Sequence, residues 1–328
     1  MKLADALPVV LHEFHLDVAS SVILPLGNAG GMSGARIWRI VSGDQTLALR
    51  AWPPSYPSAD RLEWIHRCMV HAASRCQFVP RVHVTRQRQT FVQHVGRRWE
   101  LTDWMPGQAD FSADPSDGRL ENIAAGLALL HQTLADLDRQ RSIPPGLVHR
   151  REMLQQLTPR TLRDWQSQLD GRHGGEIQRH CELVLSLAPD RLDLGRDCLE
   201  RLGNCETELI PCLRDVWHDH VLFTGNTVTG IVDYGAMAIE SPVCDLARLL
   251  GSLVPDQPDR WETALEAYER QRRLAVRDRE LLAAIDGVNP CLSGLNWVRW
   301  LYVDRREFDD LGIVLGRLQA ICRRLQIP

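Results

Sequence analysis

The stretch from Leu209 to Gly235, LIPCLRDVWHDHVLFTGNTVTGIVDYG, restricts the fold more than any other part of the chain. An apolar run, Leu209 to Leu213, ends in Arg214-Asp215, and a second run, Val221 to Phe223, follows a polar turn. Thr224 to Thr227 carries Gly and Asn, residues of tight turns, and Val228 to Val232 alternates apolar residues up to Asp233. The pattern is that of two short paired strands with one carboxylate before them and another at their end. Asp215 and Asp233 stand 18 positions apart, and the hairpin would bring them to one mouth. A carboxylate that takes a hydroxyl proton, beside one that holds a phosphate-bound metal, is the equipment of phosphoryl transfer.

At 328 residues the chain can build two lobes around this element, each with its own core. A hydrophobic content of 44% with 24% charged residues is that of a soluble globular protein. The net charge of -4 opposes a nucleic-acid-binding body, which would be basic. Nine cysteines, odd in number and without a C-x-x-C pair, read as reduced core thiols of a cytoplasmic protein. No run of 18 apolar residues and no signal-peptide core occurs, so no membrane partner is expected. Lys2 is the only lysine, so any phosphate-binding cation in the body of the chain must be Arg.

Taken in order, Ala4 to Phe14 is compatible with a short helix, and Val22 to Leu26 reads as a strand entering the run Gly27 to Gly34. Ile37 to Val41 and Thr46 to Trp52 follow as strands, so the glycine-rich turn joins antiparallel neighbours. Such a turn lets backbone N–H groups approach a polyphosphate, and Gly30, Gly31, Ser33 and Gly34 are its candidates. Arg50 lies on the next strand, and Glu63 on a helix over Asp60 to Ala73. Val82 to Val84, Thr90 to Val95 and Arg98 to Thr102 complete the antiparallel sheet, which Pro106-Gly107 ends. Beyond it the periodicity is helical: Arg119 to Leu137, three helices in 147–203, a helix from Pro242, then Trp261 to Leu274, Arg277 to Ile285, Leu292 to Val303 and Glu307 to Leu325.

These motifs, in this order, resemble the aminoglycoside phosphotransferase and choline kinase-like family, relatives of the protein kinases. Leu213-Arg214-Asp215 stands for the family's H-G-D or H-R-D triplet, and Asp233-Tyr234-Gly235 for its D-F-G; Ser241 to Leu250 resembles its D-L-A-x-L-L helix start. The resemblance implies a two-lobed, kinase-like α+β fold. Residues 1–103 would form a nucleotide-binding lobe, and 104–328 a mainly helical catalytic and acceptor-binding lobe. It implies ATP as donor, Mg²⁺ as metal and the hydroxyl of a small molecule as acceptor: an amino alcohol, an aminoglycoside, homoserine or a sugar. Asp215 would be the catalytic base, Arg50 would bind phosphate, and Glu63 would orient Arg50. Thr102 and Trp104 would lie in the hinge that reads the adenine edge, and Asp233 and His220 would hold the metal. Two departures stand out: Leu213 replaces the triplet's His, and His220 replaces the Asn expected five residues after Asp215. An imidazole at 220 would favour Mn²⁺ over Mg²⁺.

The residues leave other readings open. His218 and His220 on an extended segment could share a metal in a hydrolase. The missing Asn suits a pseudokinase, a nucleotide-binding or interaction module without turnover. A protein kinase would need a peptide-docking segment, and the short connection from Asp233 to Ser241 leaves little room for one.

Overall fold

The structure is a computed structural model and describes residues 3–27 and 34–326. By its contacts the chain divides into two compact units. One comprises Met1–Asp138, Pro211–Ala238 and Thr263–Arg272; the other comprises Arg139–Ile210, Ile239–Glu262 and Arg273–Pro328. The first unit parts after Asp138 rather than at the expected 103/104. The reason is that α3 (Asp117–Leu134) packs on α2 (Ala59–Ala73) and on the second strand of the hairpin.

The first unit is built on an antiparallel sheet in the order β1-β2-β3-β5-β4: β1 (Ser21–Gly27), β2 (Arg36–Ser42), β3 (Gln45–Ala51), β4 (Val92–His94) and β5 (Arg97–Asp103). Alternation decides its two faces. Trp38, Ile40, Leu47, Leu49, Trp99 and Leu101 point to one side and bury against Leu7, Val10, Leu11 and Phe14 of α1 (Leu7–Glu13) and its C-terminal end. Trp38 and Trp99 stack there with centroids 5.4 Å apart. The other face carries the row Leu24, Arg39, Ala48 and Thr102, in register across four strands, and beside it Arg50 opposite Glu100. Val82 makes one antiparallel bridge to Thr102; the strand expected over Val82 to Val84 amounts to that bridge.

Ser58 caps α2 by accepting the Arg61 amide, and Leu62, Ile65, His66 and Met69 form its buried face. Ser116 caps α3 in the same way. Arg119 of α3 reaches the carbonyl of Gly225 through Nε (2.8 Å), and its guanidinium lies over the Phe223 ring (5.1 Å). That holds the hairpin of β8 (Val221–Thr224) and β9 (Thr227–Ile231) against α3. Its turn takes the left-handed conformation at Gly225. On the other side Gln108 and Phe223 exchange two backbone hydrogen bonds, 3.0 and 2.9 Å. At Gly107, φ is +98°, and a Cβ there would meet the carbonyl of Phe223 at 2.6 Å, so only glycine lets the chain pass this close.

The second unit is mainly helical. It holds β6 (Gln140–Ser142) paired with β7 (Thr207–Cys212), and β10 (Ala238–Glu240) on the other edge of β7. Around these stand α4 (Pro145–Gln156), α5 (Pro159–Gln166), α6 (Gly175–Arg201), α7 (Pro242–Leu253), α9 (Val276–Val298) and α10 (Leu311–Leu325), while α8 (Pro258–Glu269) spans the boundary between units. The two helices expected over 277–303 are one: α9 runs through Pro290 and ends in a π-helical turn, Arg299–Val303. Proline removes one intrahelical bond. The continuous buried face of Leu281, Ile285, Val288, Leu292 and Leu295 keeps the helix whole. Among the described residues no helix is long and apolar enough to cross a membrane.

Candidate active site

The charged centre of the first unit is Arg50. It leaves β3 on the face opposite the core, and its guanidinium lies over the Trp52 ring at 4.7 Å. Its Nη1 donates to Asp233 Oδ1 at 2.9 Å, and its Nε lies 3.6 Å from Glu100 Oε1. Glu100 is the cross-strand partner of Arg50 in the β3–β5 register. Its second oxygen, Oε2, accepts from His66 Nε2 at 2.8 Å. Burial alone would raise the Glu100 carboxyl; His66 and Arg50 outweigh it and hold it below its ordinary value. Burial acts on the Arg50 guanidinium in the opposite sense, and Asp233 and Glu100 override it, so Arg50 stays charged.

Asp215 follows the buried Leu213, with Arg214 between them in the left-handed conformation (φ +65°). His220 ties this loop together. Its Nδ1–H donates to the Asp215 carbonyl at 2.6 Å, and its own carbonyl accepts from Val232 N at 2.9 Å, next to Asp233. Its Nε2 accepts from Trp217 Nε1 at 3.0 Å and lies 3.8 Å from Asp233 Oδ2. Asp233 is itself left-handed (φ +65°), a conformation that Asp tolerates better than most residues. Burial would raise its carboxyl, but the charge and hydrogen bond of Arg50 work against it, and the carboxyl lies below the ordinary range. Gly235 closes the motif: its carbonyl accepts from Tyr56 Oη at 2.7 Å, and a Cβ on it would come 2.6 Å from the Trp52 ring. The structure therefore gathers Arg50, Asp233, His220 and the backbone of Asp215.

Of the candidates for nucleotide contact, Gly30, Gly31 and Ser33 lie outside the described residues. Gly34 is left-handed (φ +74°) and exposed. Thr102 sits beside Ala48, and Trp104 donates its amide to the Thr46 carbonyl (3.0 Å) with its ring under Arg39 (5.1 Å). Val22 and Leu24 of β1 lie on the same sheet face as Thr102, with two strands between, and are 58% and 45% exposed.

Glu63 is a correction. It lies on the exposed face of α2, because Leu62, Ile65 and Met69 define the buried one. The side chain that α2 sends toward the sheet is His66, and the carboxylate beside Arg50 comes from β5. His220 is a second correction. Both of its ring nitrogens are engaged, Nδ1 by the Asp215 carbonyl and Nε2 by the Trp217 indole, so it braces the loop instead of offering a free lone pair to a metal. Sequence reasoning missed Glu100, His66 and Trp217. The parity of the apolar residues on β3 and β5 sets Glu100 opposite Arg50, and that signal was available.

The donor set fits a hard divalent cation through Asp233, whose Oδ2 is not engaged by Arg50 and whose side chain is 37% exposed. Such ions take one or two carboxylates and complete their shell with phosphate oxygens and water. The exposed apolar residues Val22 and Leu24 and the cation Arg50 share one face of the sheet, a combination that suits a base and its phosphates.

The model of the phosphotransferase enzyme family matches residues 26–285, and the chain belongs to that family. Among solved structures it is similar to an aminoglycoside phosphotransferase from Alicyclobacillus acidocaldarius subsp. acidocaldarius, with TM-score 0.67 at 15% identity over 97% of this chain and 92% of the other. A spectinomycin phosphotransferase in complex with ADP and spectinomycin gives TM-score 0.67 at 14% identity, over 99% and 94%. A microcompartment-associated aminopropanol kinase gives 0.63 at 14%, over 98% and 96%. No curated protein matches the sequence. The expected α+β kinase-like fold is the fold of these neighbours, and family membership makes the chain a small-molecule phosphotransferase.

Proposed function

We propose that this phosphotransferase moves the γ-phosphate of ATP to the hydroxyl of a small molecule. The observation that carries the reading is the tie through His220, which holds the Asp215 loop beside Asp233 while Asp233 meets Arg50. The backbone of Asp215, the Asp233 carboxylate and the Arg50 guanidinium are linked in this way, which supports a reading of them as proton acceptor, metal-holding carboxylate and phosphate-binding cation. Asp215 takes or orients the proton of the acceptor hydroxyl. Arg50 exchanges its contact with Asp233 for a phosphate oxygen, and its planar, permanently charged fork suits that task. Asp233, so released, holds the divalent cation, which supplies neutralisation of phosphate charge when bound. Thr102, Trp104 and the apolar face of β1 receive the base, with Gly34 at the phosphates. His220 keeps the Asp215 backbone in place.

The acceptor belongs to the class of amino alcohols, aminoglycosides, homoserine and sugars. The neighbours named for aminoglycosides, spectinomycin and aminopropanol support a small hydroxylated molecule. The test is ADP release measured with ATP and a divalent cation across a panel of these acceptors. The expected result is release that depends on one acceptor class. ADP release that no acceptor stimulates, with nucleotide still bound, would favour a binding module without turnover.

A further inference from the structure

We propose that His66 and Glu100 form a positioning relay, holding Arg50 by its Nε so that its terminal nitrogens can pass from Asp233 to a nucleotide phosphate. The inference rests on the nucleotide reading above and assigns to that site two residues to which the sequence motifs attach no role.

The geometry is that of a carboxylate hydrogen-bonded at one oxygen and ion-paired at the other. Glu100 Oε1 faces Arg50 Nε at 3.6 Å, and Oε2 accepts from His66 Nε2 at 2.8 Å. Glu100 is 7% exposed and His66 is 0% exposed, so the pair is shielded from water, where such contacts count for most. Strand register sets Glu100 opposite Arg50, and His66 brings the helix α2 into the same chain of bonds. Trp52 lies against the guanidinium face. Nε and the ring face are thus held, while Nη1 rests on Asp233, which is more exposed than Glu100. Arg50 has one fixed contact and one exchangeable contact.

His66 carries a further sign. Its Nδ1 is buried without a hydrogen-bond partner, an arrangement that costs stability where an aliphatic side chain would pack freely. A residue of packing value alone gives no reason for that orphaned nitrogen; a donor to Glu100 does.

The test is nucleotide affinity measured by calorimetry with ADP on the full chain. His66→Leu should weaken binding about tenfold, the scale of one charge-assisted bond. His66→Gln places an amide donor near the Nε2 position and should return affinity to within about threefold of wild type, by the same scale. Glu100→Gln, which keeps the shape and removes the charge, should weaken binding as His66→Leu does, and it serves if the leucine variant fails to fold. In an Arg50→Met background His66→Leu should change affinity by less than about twofold, since it acts through Arg50. In turnover, the KM for ATP should rise while the KM for the acceptor stays, a split that a smaller folded fraction cannot produce. Equal losses in both backgrounds, or a leucine variant that binds like wild type, would overturn the relay alone. A wild-type chain that binds no nucleotide would overturn the nucleotide reading and the relay with it.

Discussion

Replacing Arg50 with methionine removes the cation from between two carboxylates, and the structure sets the cost. Arg50 is 18% exposed and Glu100 10% by side chain, so their contact is little screened, while Asp233 at 37% contributes less. Breaking a buried pair costs about 3–5 kcal/mol when the remaining charge has no other partner. Here Glu100 keeps His66, and its distance to Arg50 is long at 3.6 Å, which cuts that figure roughly in half. The stacking on Trp52 adds about 0.5–1 kcal/mol. The sum is about 2–4 kcal/mol, which for a chain of 328 residues lowers the melting temperature by roughly 3–6 °C. The sign of the pH dependence follows from Glu100. Its folded pKa lies below the ordinary value of 4.5, so its contribution is present above that value and is lost as pH falls through the depressed folded pKa. Without Arg50 the burial effect weighs more heavily, the carboxyl rises, and the variant carries a poorly compensated charge at neutral pH. Thermal melts of wild type and Arg50→Met should therefore differ most at pH 7, and the gap should narrow below about pH 4.5. A variant that melts with wild type at pH 7, or a gap that widens in acid, would refute the electrostatic account.

Gly235→Ala should lower stability by about 1–3 kcal/mol, since its Cβ would come 2.6 Å from the Trp52 ring; a melt indistinguishable from wild type would mean the ring yields freely. Trp217→Phe removes the indole donor on His220 Nε2, so the ratio of turnover with Mn²⁺ to turnover with Mg²⁺ should rise, because imidazole nitrogen suits the softer ion. An unchanged ratio would mean that the indole does not guard this nitrogen.

That Arg50, Asp233 and the Asp215 loop come together was legible because charged residues at turns stand out against the apolar runs before them. Asp215 and Asp233 each follow an apolar run, and Arg50 ends an alternating strand in a chain whose only lysine is Lys2. The sheet was readable for the same reason: Leu47 and Leu49 against Trp99 and Leu101 fix which residues face the core. What failed to read was contact across elements. Glu63 looked like the partner of Arg50 because a helix following the strand was expected to offer a carboxylate there. The face of α2 that turns to the sheet carries His66, and the acid came from the neighbouring strand. His220 was read from its spacing alone, whereas its role depends on an indole three residues earlier and a carbonyl five residues earlier. Arg277 to Ile285 and Leu292 to Val303 read as two helices for the same reason, since the buried face that carries α9 through Pro290 forms only by packing against other elements.

The most direct test of the central claim is phosphoryl transfer by wild type and Asp215→Asn on the best acceptor, with product followed by ³¹P NMR and ADP affinity measured on the same preparations. Asparagine keeps the shape of the side chain and leaves the backbone bond to His220 in place, but it cannot take a proton. The account predicts an acceptor phosphate monoester from wild type, a rate lower by about 10²–10⁴ in the variant, and unchanged ADP affinity in both. Transfer by Asp215→Asn at a rate near that of wild type would contradict it.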